Sequence, residues 1–376
     1  MIILHIISSL NRGGAELMLK RLIKSCDGGT FYRHVVISLT DIGEVGEQLQ
    51  NAGVDVQALA MRSLLDIPRV LCRLIGLIRI IKPHVVQSWM YHADFLGGLA
   101  ARLAGSCSVV WNIRCTTIPQ DLLSATFWLV RLCAMCSYVV PHSIICCAKS
   151  AEALHTKLGY ASHNMTVIPN GYDFSVFDRH LNSRVKSRME LGFDDSTIVI
   201  GVVGRFDPLK DFHNFVVAAS YIVASRGDVK FLMVGRNIEW SNQELCGWIK
   251  AEGLEKKFQL VGEQSDVPYF LSAMDIFCLS SVCEGFPNVV AEAMAMGLPS
   301  VVTQAGDAAD ILGDNNFAVP VEDSVLLADA LVRMCALDLT ERSLIGKKNA
   351  EKVRNEYAIE KTWQKYAAVY DKVARK

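Results

Sequence analysis

Short unbroken apolar runs alternate with amphipathic segments along almost the whole chain, and nothing else in the sequence limits the fold so strongly. Ile2 to Ile7 is the first such run. A run without polar alternation suits a strand covered on both faces, as in parallel sheets flanked by crossover helices. The spacing predicts further strands over His34 to Leu39, Val54 to Leu59, Val85 to Ser88, Val109 to Ile113, Ser143 to Cys147 and Met165 to Ile168. Helices are expected between them, over Ala15 to Lys24, Gly43 to Ala52 and Ile67 to Ile81. Strand and helix taking turns implies a doubly wound α/β sheet.

Turn residues at Pro169-Asn170-Gly171 break the pattern. Residues 172–195 read as polar and irregular, and the alternation then restarts at Thr197 to Val203. Lys230 to Val234, Phe258 to Val261, Ile276 to Leu279, Ser300 to Thr303 and Phe317 to Val319 supply a second set of strands. A chain of 376 residues exceeds what one core usually serves, at about 150 residues per domain. Two domains are therefore expected, 1–169 and 170–357. The tail helix, Ile359 to Arg375, lines up Trp363, Tyr366, Ala367 and Tyr370 on one face, which must dock.

Apolar residues make up 51% and charged residues 20%, which excludes disorder. The net charge of −1 conceals a basic first half and an acidic second half. Such asymmetry fits either an anionic surface or substrate at one end, or plain solubilising lysines. The 12 cysteines sit mostly inside apolar runs and point to a reducing cytosol. Cys133 and Cys136 have redox or zinc spacing, but their neighbours are Leu, Val and Met, and a buried structural pair is expected. Met1 to Leu10 lacks a basic leader and a cleavage site and reads as a first core strand. Phe127 to Cys147 is the most membrane-like window, yet Arg131, Pro141 and His142 argue for a helix and a strand instead of a span.

In doubly wound sheets ligands bind beyond the carboxyl ends of the strands, so the residues after each strand carry the chemistry. After the first strand come Gly13 and Gly14, which allow either a close ligand approach or a plain tight turn. Trp89-Met90-Tyr91-His92-Ala93-Asp94 follows a later strand. His92 there suits a phosphate or sugar hydroxyl, or caps its own helix. In the second half, Arg205 and Lys210 flank a turn after a strand. They fit two phosphates, the arginine as a planar fork and the lysine as a point charge, or they are simply solvated. Ser280 to Gly297 reads as strand, tight turn and helix start. Glu284 lies in the turn and Glu292 about two turns on, while the helix-start amides between Gly285 and Val289 are not taken up by the helix and attract anions. Hydroxyl acceptors at both ends with phosphate donors between suit a nucleotide sugar.

Gly13-Gly14-Ala15-Glu16, His92, Pro169-Asn170-Gly171, Arg205 with Lys210, and Glu284-Gly285-Phe286-Pro287-Asn288 through Glu292 together resemble the retaining glycosyltransferases of family 4, of the type building bacterial surface polysaccharides. The resemblance spans essentially the whole chain. It implies the GT-B fold, two Rossmann-like domains facing across a cleft, with the tail (358–376) crossing back to an acceptor-binding first domain. It implies that Arg205 and Lys210 bind the donor diphosphate, Glu284 the donor sugar and Glu292 the ribose. Gly13 and Gly14 would close over the diphosphate, His92 would line the transferred sugar, and the backbone near Val261 would read the base. Glu284 and His92 are the catalytic candidates, expected to face one sugar-sized gap in a closed form.

No two aspartates are separated by one residue, so the Asp-x-Asp element of metal-dependent relatives is missing. Neither metal nor cofactor is expected. The implied reaction is retaining transfer of a hexose from a nucleotide sugar, UDP-linked by family frequency, to a glycan or polyprenyl-diphosphate-linked saccharide. Alternatives are a non-catalytic nucleotide-sugar-binding partner, an epimerase or a phosphorylase on the same fold. Nucleic acid is not an expected partner. The basic helix Ile67 to Lys82 and the stretch Leu122 to Val139 are candidate faces for an anionic membrane, giving an expected location in the cytoplasm, peripheral on the inner face of the cytoplasmic membrane.

Overall fold

The computed structural model describes residues 1–26, 31–105, 108–116, 118 and 124–375. The chain forms two compact units, the first comprising Met1–Tyr172 and Tyr357–Lys376, the second Asp173–Glu356. Each is built on one parallel sheet.

In unit 1 the strands are β1 (Ile2–Ile7), β2 (Arg33–Ser38), β3 (Asp55–Ala58), β4 (Val85–Trp89), β5 (Ser108–Ile113), β6 (Ser143–Cys146) and β7 (Met165–Val167). They lie in the order β3-β2-β1-β4-β5-β6-β7, with every registered pair parallel. Helices link them, among them Gly14–Lys24, Ile67–Ile81 and Tyr91–Ala104. Ile67–Ile81 buries Val70, Leu74 and Ile78, one residue per turn, and leaves its arginines outward. Tyr91–Ala104 starts earlier than its run of small residues suggests, so His92 lies inside the first helical turn.

The tail helix, Ile359–Ala374, packs on the helix Gly14–Lys24 and on β4 and β5. Tyr366 and Tyr370 are fully buried, Tyr366 stacking on Trp89 with ring centroids 6.4 Å apart. The Tyr370 hydroxyl donates to Gln87. The aromatic face legible in the sequence is thus the face that docks.

Beneath this helix runs a buried hydrogen-bond relay. Trp89 Nε1–H donates to His5 Nδ1 at 3.3 Å, and the His5 Nε2 to His34 Nδ1 distance is 2.9 Å. Since indole only donates, His5 must accept at Nδ1 and donate at Nε2, so both imidazoles are neutral. Burial accordingly lowers both pKa values, that of His34 to about 4. Between the unfolded value of about 6.5 and about 4, the unfolded chain takes up a proton that the folded chain refuses. Stability present above pH 6.5 is therefore lost as pH falls towards 4, on the order of 3 kcal/mol for His34 alone. Urea denaturation at pH 7 and pH 4.5 should show this loss, and it should shrink in His34→Gln; an unchanged pH dependence in that variant would contradict the relay.

Unit 2 holds β8 (Ile198–Val203), β9 (Val229–Val234), β10 (Phe258–Leu260), β11 (Ile276–Leu279), β12 (Ser300–Thr303) and β13 (Ala318–Val319). Their order is β10-β9-β8-β11-β12-β13, again parallel throughout. The region expected to be irregular, 172–195, contains two helices, Ser175–Asp178 and Arg184–Glu190. The second runs against the usual pattern: Val185 and Met189 face out while Ser187 and Arg188 are buried. Polar bonds to the sheet hold it, and hydrophobic periodicity has nothing to report there.

Among the described residues no helix is long and apolar enough to cross a membrane. Leu122 and Leu123, the start of one candidate membrane face, lie outside the described residues. Cys133 is buried, and burial pushes its thiol well up, as expected of a structural cysteine and not of a redox one.

Candidate functional site

In each sheet the chain order reverses at the first strand. β1, β2 and β3 run to one side and β4 lies on the other; β8, β9 and β10 do the same with β11. The carboxyl ends flanking such a reversal open into a crevice where ligands bind. In unit 2 the loops that leave β8 and β11 are the ones carrying Arg205, Lys210 and Glu284.

These two loops are stitched together. Ser280 Oγ donates to the Lys210 carbonyl at 2.8 Å, and the Val282 amide to the Leu209 carbonyl at 2.9 Å. Lys210 Nζ donates to Glu284 Oε1 at 2.5 Å, and Ser281 Oγ donates to the same oxygen at 2.8 Å. Both charged side chains are shielded, Lys210 at 20% and Glu284 at 13% exposure. Arg205 is 57% exposed and forks onto Asp207, with Nε and Nη2 each 2.9 Å from Oδ2. Asp207 also accepts from the Leu209 amide at 3.0 Å, which fixes the turn Pro208–Lys210. Both cations therefore rest on carboxylates. An anion arriving at this turn competes with Glu284 for Lys210, and the released carboxylate is then an acceptor for a hydroxyl.

The turn after Glu284 is held as well. The Gly285 carbonyl accepts from the Asp307 amide at 3.0 Å, and Phe286 is buried. Pro287 caps the helix Asn288–Ala295, its carbonyl accepting from the Val290 amide at 3.1 Å, and Glu292 is half-buried on that helix. At Val261 the amide donates to the Met233 carbonyl at 3.2 Å, and the carbonyl accepts from Gln264 Nε2 at 2.6 Å. Its backbone can read a base only through the carbonyl's second lone pair.

In unit 1, Gly13 caps the helix Gly14–Lys24 in an extended conformation, and Gly14 is exposed. A Cβ at Gly13 would stand 2.4 Å from Glu16 Oε2, so the missing side chain is what admits that carboxyl. Burial raises the Glu16 pKa, despite its own backbone amide and the field of Arg114. His92 is exposed at the start of the helix after β4, and desolvation by the protein around its ring lowers its pKa. The residue before this helix, Met90, has φ 70 and ψ 161, a region that side chains other than glycine's rarely adopt. It is pinned by its amide to Asn112 O at 3.1 Å and by its carbonyl accepting from the Asp94 amide at 2.8 Å. Fully buried Asp94 accepts from Ser88 Oγ at 2.6 Å, and burial pushes its carboxyl well above the usual range. The turn presenting His92 is thus strained and over-determined.

The family model described as Glycosyltransferase Family 4 matches residues 12–176, and that described as Glycosyl transferases group 1 matches residues 197–336. The chain belongs to glycosyltransferase family 4. It is similar to the Escherichia coli UDP-Gal:alpha-D-GlcNAc-diphosphoundecaprenol alpha-1,3-galactosyltransferase, 28% identical over 82% of this chain and 80% of that protein. It is also similar to the capsular polysaccharide biosynthesis glycosyltransferase CapM of Staphylococcus aureus, 24% identical over 77% of each chain. The crystal structure of Anabaena Alr3699/HepE in complex with UDP superposes with a TM-score of 0.85, at 21% identity, over 99% of this chain and 100% of that one. The two units of this glycosyltransferase are those of the GT-B fold.

Some residues that shape the site of this glycosyltransferase escaped sequence reasoning. Gly306, with φ +58, backs directly onto the Glu284 turn: a Cβ there would lie 2.0 Å from the Glu284 carbonyl oxygen. Thr303 Oγ1 donates to the Ser281 carbonyl at 2.6 Å, bracing the serine that holds Glu284. Thr303 ends β12 and Gly306 follows it, and a glycine after a strand was the one available signal. Asp94 lay within a stretch already singled out, but its burial depends on β5.

Proposed function

We propose that this glycosyltransferase moves a hexose, with retention of configuration and without metal, from a UDP-sugar to a glycan or a saccharide linked to a polyprenyl diphosphate. The observation that carries the reading is the Lys210–Glu284–Ser281 cluster at the reversal point of the second sheet. Arg205 and Lys210 take the donor diphosphate, Glu284 the sugar hydroxyls and Glu292 the ribose. Amides from Gly285 to Asn288, other than that of Pro287, and the Val261 carbonyl add contacts to sugar, phosphate and base. Gly13 and Gly14 meet the diphosphate and His92 the transferred sugar. Unit 2 is then the donor domain and unit 1 the acceptor domain. The E. coli relative is named for UDP-Gal and a diphosphoundecaprenol acceptor, and HepE was crystallised with UDP and with UDP-glucose, which supports a UDP donor here.

Negative charge on the departing diphosphate is met by fixed cations and amides, a preorganised electrostatic role. The leaving phosphate takes the acceptor's proton as the new bond forms on the same face. Incubation with a panel of nucleotide sugars, without acceptor and with EDTA present, should release nucleotide selectively from one UDP-sugar. Glu284→Ala should cut that release by about a hundredfold, and turnover near the parent's level would sink its role. Silence across the whole panel would favour a nucleotide-sugar-binding partner.

Peripheral membrane attachment is part of the same proposal. On unit 1 the helix Ala125–Cys136 and the residues after it leave Trp128, Met135, Tyr138 and Val139 exposed beside Arg131. Apolar side chains with a cation suit an anionic bilayer surface. Liposome co-sedimentation at low salt should require anionic lipid, and Met135→Glu should weaken it severalfold. Equal binding to neutral vesicles would refute the attachment.

A further inference from the structure

Arg114 is the first residue beyond β5, on the strand next to the one that leads to His92. Its guanidinium is held by neutral groups. Nη1 donates to Asn112 Oδ1 at 3.3 Å and to the Tyr366 hydroxyl at 3.4 Å, and Nη2 donates to Asn170 Oδ1. The indole of Trp89 lies under it, 5.4 Å from ring centroid to guanidinium carbon. Asn112, Asn170, Tyr366 and Trp89 are all buried, and Asn112 Nδ2 is bonded in turn to the Tyr366 hydroxyl at 2.9 Å. Three protein acceptors thus occupy three of the five N–H donors of an arginine.

Among the described residues no carboxylate lies within ion-pair distance of Arg114. Glu16 feels its charge but forms no bond to it. The contrast with unit 2 is informative, because Arg205 and Lys210 both rest on carboxylates. A half-buried cation oriented by a rigid neutral frame, with donors left over, is a preorganised anion site. Its place at the carboxyl edge of the sheet, beside the reversal point, is where a ligand of unit 1 belongs.

We infer that Arg114 binds a phosphate group of the acceptor, within the diphosphate that links the acceptor saccharide to its lipid. This rests on the proposed acceptor class. Unit 2 already supplies two cations for the donor diphosphate, whereas the acceptor diphosphate has no other braced cation assigned to it. The planar fork matches two phosphate oxygens at once. Tyr366 and Asn170 are positioning residues for that fork, which gives the docked tail helix a part in substrate recognition.

The test compares two synthetic acceptors carrying the same saccharide, one on a lipid diphosphate and one on a phosphate-free alkyl chain. Arg114→Gln should raise KM for the diphosphate acceptor about 10- to 100-fold, with donor KM and acceptor-free donor hydrolysis unchanged. Arg114→Lys should fall between, and Asn170→Ala, which loosens the fork but keeps its charge, should give a smaller rise. On the phosphate-free acceptor the substitutions should add nothing. Equal losses on both acceptors, with a lowered melting temperature, would reduce Arg114 to a structural role. A loss of donor hydrolysis or a raised donor KM would assign it to the donor's phosphates instead, and either result overturns the inference. If the parent protein releases nucleotide but uses only phosphate-free glycans, the acceptor class fails first. Inorganic pyrophosphate then decides on the site by calorimetry with UDP saturating: binding lost in Arg114→Gln upholds the anion site, and identical binding in both proteins overturns it.

Discussion

Gly306→Ala is expected to lower kcat/KM for sugar transfer by about a hundredfold while the protein stays folded. The reason is steric and local. The new Cβ would stand 2.0 Å from the Glu284 carbonyl oxygen and 2.7 Å from that of Gly285, and the backbone there has φ +58. Backbone oxygens cannot swing away as a side-chain end can, so the Glu284 turn must move. Ser281 and Lys210 hold the Glu284 carboxylate by hydrogen bonds of 2.8 and 2.5 Å, and a displacement of about 1 Å breaks that geometry. Strain at a positive φ costs on the order of 1–3 kcal/mol, a modest drop in melting temperature. Steady-state kinetics beside a thermal melt separates the two effects. A variant that melts earlier but turns over normally would remove Glu284 from the chemistry.

The largest stability effect is expected at the opposite, amino-terminal edge of the same sheet. Asp275 precedes β11 and is 9% exposed; Arg188, at 2%, lies in the helix Arg184–Glu190. Asp275 Oδ2 accepts from Arg188 Nη1 at 3.0 Å and from the Val199 amide at 2.8 Å, and Oδ1 accepts from Arg184 Nη2 at 2.6 Å. Arg188 also donates to the Ala273, Asp194 and Thr197 carbonyls. Asp275→Ala leaves a buried guanidinium without its counter-charge, which costs about 3–5 kcal/mol, a large share of the about 5–15 kcal/mol that keeps a domain folded. Urea denaturation followed by the fluorescence of Trp240 and Trp248, both in unit 2, should register it. The pair Asp275→Leu with Arg188→Met should recover more than half of the loss, since removing both charges avoids the unpaired one. A single substitution that costs under 1 kcal/mol would contradict the account.

The same two regions show how far the sequence could be read. Lys210 and Glu284 were legible one at a time, each as a charged residue after an apolar run, because strand ends are marked by a change in composition. Their contact was not legible, since 74 residues separate them and only the placing of β11 beside β8 brings them together. The helix Arg184–Glu190 was missed because its buried face is polar. Periodicity detects apolar faces, and a helix held by arginines to carbonyls and one aspartate offers none. Gly306 reads in the sequence as an ordinary turn glycine; its importance lies in the backbone packed behind it. Val261 was named from the resemblance alone, and the Gln264 side chain that occupies its carbonyl was not foreseen.

What the sequence determined by itself was the alternation of strand and helix, the docking face of the tail, and which residue types stand at the strand ends. These are local properties, set by apolar spacing, turn chemistry and helix starts. The tertiary structure decided which strand ends are neighbours and how each charge is compensated: Arg205 and Lys210 on carboxylates, Arg114 on a neutral frame completed by Tyr366, 252 residues further on. Coulomb and steric terms depend on separations of a few ångströms between residues distant along the chain. The order of strands in the two sheets and the docking of the tail helix set those separations.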